Sequence, residues 1–198
     1  MTEPAAIDGQ VRDALDRDDI EGATELALRA YGGELIGWLW SMLPRESDAQ
    51  DAFSRLSEQL WRSLAHFDGR CSVRTWCYML ARQAAGRVHA EPRHAHEMLV
   101  TSVPTVAQAV THVWNTTRLE AQREQDVYAQ IRNELADEDQ QLLVLRVDRD
   151  LPWRDIALVM LGQDATDDDI TRKAAALRKQ FERIKEQLRA LAAERLDD

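Results

Sequence analysis

The chain has 198 residues, which is enough for one ordinary domain or two small ones. Its composition, 44% hydrophobic and 30% charged, is typical of a globular protein, and two cysteines are too few for a disulfide framework. No run approaches the roughly 20 apolar residues of a membrane span, and the first ten residues lack the basic and apolar parts of a signal peptide. We therefore expect a cytoplasmic protein that does not act on a membrane.

The charges are segregated along the chain, although the net charge is −10. Residues 61–95 carry six Lys or Arg and two acids, and residues 170–198 carry eight and five. Acids exceed bases by eight in residues 1–60 and again in residues 134–169. Because local charge governs binding to a polyanion more than the total does, the two positive segments are candidate nucleic-acid interfaces.

Helical periodicity dominates the first half of the chain. Apolar residues at helical spacing predict one helix that ends at Pro44, a second over 49–64, and a third from about Ser72 to His89 that stops before Pro92. The acidic residues 1–22 precede these helices. We predict a helical domain over residues 1–90.

The second half contains an irregular segment and another helical unit. Residues 91–130 have scattered Pro, Ser and Thr and are read as a linker, which runs into a helix between Val113 and Leu135. Three helices are then expected over 138–147, 152–161 and 168–195, the layout of a helix-turn-helix domain spanning 131–198. The predicted fold class is all-α, with two small helical domains joined by a linker.

Several short motifs occur in a particular order along these helices. The first domain contains DAQD at 48–51, LWR at 60–62, Phe67, SVRTW at 72–76 and LAR at 80–82. The second contains LLVLR at 142–146 and LPWRDIA at 151–157. Their order and spacing resemble regions two and four of a bacterial RNA polymerase sigma factor of the small extracytoplasmic-function type.

The resemblance implies three sets of functional residues. Those on the helix that docks on core RNA polymerase would be Asp48, Asp51, Arg55, Leu60 and Trp61. Those that bind and melt the downstream promoter element would be Arg70, Arg74, Tyr78, Arg82 and Arg87. Those of the helix-turn-helix that reads the upstream element would be Arg154, Arg172, Lys173, Arg178 and Lys179.

Charge and aromatic content support the same reading of the third helix. Unstacking a duplex costs a few kcal/mol per base, and stacking a base on an aromatic ring recovers about 1–3 kcal/mol. Arginines would hold the phosphates. Trp76 lies on the apolar stripe and is expected in the core. Tyr78 lies off that stripe and is the candidate for base stacking, with an ordinary surface tyrosine as the alternative.

The chain also departs from the family pattern. Gln50 replaces a central acid of the docking motif, and Ser54 and Arg55 stand where the family often carries Gln and an acid. Phosphorylation of Ser54 or Ser57 would restore negative charge there; the alternative is that both are ordinary surface serines. The three aspartates at 167–169 suit the start of a helix but repel phosphate, so either this turn avoids DNA or the basic face beyond it makes the contacts.

We find no catalytic arrangement, no metal-ligand spacing and no cofactor motif in the sequence. We therefore expect a non-enzymatic factor whose partners are core RNA polymerase, promoter DNA and, as is common in this family, an inhibitor protein. The alternative is a diverged sigma-like regulatory protein that binds a protein partner and has lost promoter recognition.

Overall fold

A computed structural model describes residues 4–43, 45–90, 104–121 and 134–196 of the chain. These residues are predominantly helical, and they contain no strand. The predicted all-α fold class is confirmed. Two compact units are present, residues 1–121 and 122–198.

Five α-helices are described in the first unit and three in the second. In the first unit they are α1 (Pro4–Asp16), α2 (Ile20–Met42), α3 (Glu46–Ser63), which runs into a 3₁₀ turn (Leu64–His66), α4 (Val73–Ala90) and α5 (Pro104–Ala121). In the second unit they are α6 (Asp137–Leu143), which continues as a π-helical turn (Val144–Asp148), α7 (Trp153–Leu161) and α8 (Asp167–Leu196). None of the described helices combines the length and the apolar character needed to cross a membrane.

Helix α2 is the centre of the first unit, because α1, α3, α4 and α5 all pack against it. Its side chains are apolar on more than one face, as a helix surrounded by neighbours requires. Leu28, Leu35, Trp38 and Leu39 have no exposed surface. Asp19 begins the helix by accepting a hydrogen bond from the backbone N–H of Gly22 at 2.8 Å.

Helix α5 lies within the segment that we read as a linker, and it belongs to the first unit. It begins at Pro104, earlier than the expected start near Val113; residues 91–103 and 122–133 lie outside the described residues. The ring of Trp114 packs edge-on against Trp40 of α2, with centroids 5.7 Å apart, and lies 6.5 Å from Phe53 of α3. These contacts extend the core beyond the predicted domain of residues 1–90.

The second unit has its own apolar core. Its three helices bury Leu142, Leu145, Ile156, Ile170 and Leu177. The helices occur where the periodicity predicts them, to within a few residues.

The connections of this unit are tightly organised. Arg146 donates a hydrogen bond to the carbonyl of Leu151 at 3.0 Å, and its guanidinium lies 5.1 Å from the centre of the Trp153 ring. Gly162 ends α7 with a φ of 93°, a conformation that favours glycine. Residues 162–166 join α7 to α8, and Gly162 fixes the start of this turn.

Candidate functional site

The loop before α4 turns at Asp68 and Gly69. Gly69 has a φ of 74°, which favours glycine, and the carboxylate of Asp68 accepts a hydrogen bond from the backbone N–H of Arg70 at 3.0 Å. The side chain of Arg70 is exposed. The turn thus presents one of the predicted phosphate-binding arginines to solvent.

Helix α1 contacts both ends of this loop. The carboxylate of Asp8 accepts a hydrogen bond at 3.1 Å from the backbone N–H of Val73, the first residue of α4. Four residues further along α1, Arg12 reaches Gly69 so closely that a Cβ there would lie 2.9 Å from a guanidinium nitrogen. The acidic segment 1–22 therefore includes a helix that positions the start of α4.

Arg74 is held by an acid of the neighbouring helix. Its Nε and Nη2 atoms each donate to a carboxylate oxygen of Glu34, both at 2.7 Å, and the side chains are only 18% and 17% exposed. These hydrogen bonds raise the pKa of Arg74, against the opposing effect of burial. Arg74 was predicted to bind DNA, but in this structure its guanidinium joins α4 to α2.

Tyr78 is buried, so the prediction that it lies off the apolar stripe is wrong. Its ring packs edge-on against Trp38 of α2, with centroids 5.0 Å apart. Helix α4 contacts both α2 and α3, and this widens the buried face beyond the single stripe that the sequence shows. Tyr78 cannot stack on a base in this conformation.

Trp76 is buried, as expected. It packs against Phe67 with ring centroids 5.5 Å apart. Phe67 is half-buried and lies at the start of the loop that carries Arg70. The aromatic side chain nearest to solvent at this loop is therefore one that the sequence analysis did not select.

Two predicted arginines lie further along α4. Arg82 is half-buried and Arg87 is exposed. With Arg70 they place positive charge at the loop and along the second half of the helix.

The outer face of α3 carries the predicted docking acids, each beside an arginine. Asp48 pairs with Arg45 at 2.6 Å, and Asp51 pairs with Arg55 at 3.3 Å. All four charges are at least partly exposed. The face is less acidic than its aspartates alone suggest.

The remaining predicted residues of α3 divide between the surface and the core. Trp61 is half-buried, but Leu60 has no exposed surface and cannot contact a partner in this conformation. Ser57 is also fully buried and donates to the carbonyl of Phe53 at 2.8 Å, so a kinase cannot reach it in the folded protein. Ser54 is half-buried and donates to the carbonyl of Gln50 at 3.0 Å.

In the second unit, the start of α8 is organised by a reciprocal cap. The backbone N–H of Asp169 donates to the Thr166 hydroxyl at 3.2 Å, and that hydroxyl donates to the Asp169 carboxylate at 2.5 Å. The Thr166 hydrogen bonds, assisted by Arg172, lower the pKa of Asp169.

Two of the predicted upstream-element arginines are paired with aspartates of this first turn. Arg154 of α7 donates to Asp167 at 2.7 Å, and Arg172 forms an ion pair with Asp169. Lys173 is half-buried, whereas Arg178 and Lys179 are exposed on α8. Arg172 is itself exposed, so the exposed basic side chains of α8 begin with this paired arginine in the second turn and continue with Arg178 and Lys179.

Sequence reasoning missed Glu34, which holds Arg74, and Asp8, which accepts from the backbone at the start of α4. The pairing of Arg74 had one sequence signal: Glu34 is a charged residue within the apolar pattern of α2 and therefore needs a partner. Asp8 could not be identified, because only the fold brings it next to Val73, 65 positions away.

The comparisons with known proteins assign part of the first unit. Residues 27–89 match the family model for sigma-70 region 2, and this range covers most of α2, all of α3 and nearly all of α4. No curated protein and no solved structure matches the chain. The three helices that carry the candidate docking face and the arginine-bearing loop therefore match region 2 of the sigma-70 family.

Proposed function

We propose that this protein is an RNA polymerase sigma factor, which binds core polymerase and directs promoter recognition and DNA melting. The observation that carries the proposal is the match of residues 27–89 to sigma-70 region 2. The polymerase performs the chemistry, and the chain supplies binding and recruitment. The two-unit layout and the motifs of the second unit support assignment to the extracytoplasmic-function type.

The first unit would bind polymerase with one surface and DNA with another. Asp48, Asp51 and Trp61 on the outer face of α3 dock on a basic surface of the polymerase. Arg70 at the loop, with Arg82 and Arg87 on α4, holds the phosphates of the separated strand. Because Tyr78 is buried, Phe67 takes the stacking role: it is half-exposed and its orientation is fixed by Trp76.

The second unit would act as a helix-turn-helix that binds upstream promoter DNA. Helices α7 and α8 are joined by residues 162–166, and Arg178 and Lys179 extend from the exposed surface of α8. Such a factor works in the cytoplasm, and an inhibitor protein that covers the docking face would regulate it.

The test is reconstitution with core polymerase. Pull-down measures docking, and an abortive-initiation assay measures promoter opening. We expect both activities from the full chain, and we expect Phe67→Ala to slow opening while polymerase binding is kept. Absence of both activities from the wild-type chain would refute the proposal.

A second candidate function is favoured by the ion pairs. Arg74, Arg154 and Arg172 are each paired with an acid, which lowers the charge available to DNA. A diverged sigma-like regulator that binds polymerase or another protein, without promoter recognition, fits this feature. Binding to polymerase without promoter opening would favour it.

A further inference from the structure

The first turn of α8 carries three consecutive aspartates, whose surroundings differ. Asp167 accepts a hydrogen bond from Nη2 of Arg154 at 2.7 Å, so this contact joins α8 to α7. Asp169 is bound to Thr166 and Arg172. Asp168 is exposed and has no ion pair within the described part of the chain. The same charge therefore occurs with and without a guanidinium partner in one helical turn.

The guanidinium of Arg154 could bind a phosphate, but it is bound to the carboxylate of Asp167. Guanidinium N–H groups donate in the same way to carboxylate and to phosphate oxygens. The Arg154 and Asp167 side chains are 57% and 74% exposed, so DNA can reach the pair. An exposed ion pair shifts an equilibrium by about fivefold or less, so a phosphate can replace the carboxylate reversibly.

Asp167 lies on the side of α8 that is proposed to face DNA, so its carboxylate and a DNA phosphate compete for Arg154 at that surface. Thr171 follows Asp167 by four residues and Arg178 follows it by eleven, so the three lie along one side of the helix. Thr171 and Arg178 are both exposed. A duplex that approaches Arg178 along this side would therefore meet the carboxylate of Asp167 beside Arg154.

We propose that Asp167 is a built-in substitute for a DNA phosphate, which keeps the affinity of the second unit for any duplex low. This inference rests on the proposed DNA binding by α7 and α8. Arg154 can contact DNA only by exchanging the Asp167 carboxylate for a phosphate, so Arg154 adds little to the affinity of the wild-type second unit for a duplex. Upstream contact is then up to about fivefold weaker than an unpaired Arg154 would allow, which favours contact when polymerase holds the chain at the promoter.

The test compares two substitutions that remove the same charge from the same turn. The full chain is titrated with a mixed-sequence duplex of about 30 base pairs at about 50 mM salt, where phosphate contacts dominate binding. Asp167→Asn is expected to tighten binding about fivefold, and Asp168→Asn about twofold or less. Asn is well tolerated near a helix start, and circular dichroism checks that α8 is retained.

Salt dependence gives an independent measurement. Release of Arg154 adds one phosphate contact, so the slope of log affinity against log salt should become steeper by about 0.9 for Asp167→Asn. Asp168→Asn should leave the slope unchanged.

A double-mutant cycle decides whether the effect passes through Arg154. In an Arg154→Ala background, Asp167→Asn should tighten binding no more than Asp168→Asn does. The proposal is overturned if Asp167→Asn and Asp168→Asn raise the affinity for the duplex equally in the wild-type background. It is also overturned if the gain from Asp167→Asn persists in the Arg154→Ala background, or if the Asp167→Asn chain shows no measurable binding. Polymerase pull-down by the wild-type chain is scored separately, because failure of the cycle with polymerase binding intact refutes only this inference.

Discussion

At the scale of single residues, arginines that occur in similar sequence contexts have different environments in the structure. Arg70 and Arg74 were both predicted to bind phosphate, and they are only four positions apart. Arg70 extends from a turn into solvent, whereas Arg74 is fixed by two hydrogen bonds to Glu34 in a half-buried position. Sequence pattern places both on the same segment but does not show that α2 brings an acid to one of them.

This difference predicts unequal effects on stability. Arg74→Ala should lower the free energy of unfolding by about 2 kcal/mol, because it leaves the Glu34 carboxylate half-buried without its guanidinium. Arg70→Ala should change it by less than about 0.5 kcal/mol. Urea unfolding of the two variants measures this, and equal losses would contradict the assignment.

The two cysteines provide a second contrast between single residues. Burial raises the pKa of the Cys77 thiol, so little reactive thiolate forms, whereas Cys71 lies half-exposed in the loop before α4. At about pH 8, iodoacetamide should modify Cys71 rapidly and Cys77 only after unfolding. Mass spectrometry of native and urea-unfolded protein measures both sites. Rapid labelling of Cys77 in the native protein would show that α4 is not packed as described.

At the scale of elements, helix positions followed from periodicity but their packing partners did not. The helices α2, α3, α4, α7 and α8 lie where apolar spacing predicts them. Helix α5 was read mostly as linker, because it is rich in Thr and Val, which are modest helix formers. Its stability comes from tertiary contacts with α2, which a local sequence pattern does not reveal. The burial of Tyr78 has a similar origin, since α1, α2 and α3 all pack against α4.

The packing of α5 on α2 depends on Gly32. A Cβ at this position would lie 2.6 Å from a methyl carbon of Val113, so Gly32→Ala should destabilise the first unit by about 1–3 kcal/mol. Gly9→Ala is the matched control: nothing lies within 4 Å, so it should stabilise α1 by up to about 1 kcal/mol. Thermal unfolding compares them. Adding Val113→Ala should recover part of the loss, and a neutral Gly32→Ala would contradict the close approach.

At the scale of the whole molecule, we propose that α3 docks on polymerase and that Arg70, Arg82 and Arg87 bind DNA. Asp48→Ala and Asp51→Ala should each weaken polymerase binding by about fivefold, as expected for an exposed charge in an interface. Asp13→Ala removes an exposed acid from α1 and should have no effect. Pull-down with core polymerase measures this, and equal losses for all three variants would contradict a defined docking face.

Promoter opening should respond to a different set of substitutions. Arg82→Ala and Arg87→Ala should slow opening by several-fold while polymerase binding stays within about twofold, because each removes a phosphate contact. Abortive initiation on a supercoiled template measures opening, and polymerase pull-down measures binding. If both variants lowered the two activities in parallel, α4 would contribute to docking and the division would be wrong.

The central claim is that the chain directs core polymerase to start sites. Its most direct test is to map transcript 5′ ends made on genomic DNA of the source organism by core polymerase, with and without the purified full chain. We expect discrete new start sites that appear only with the chain and are lost with Asp48→Ala and Asp51→Ala combined. Polymerase binding without any new start site would contradict the central claim and support the regulator that lacks promoter recognition.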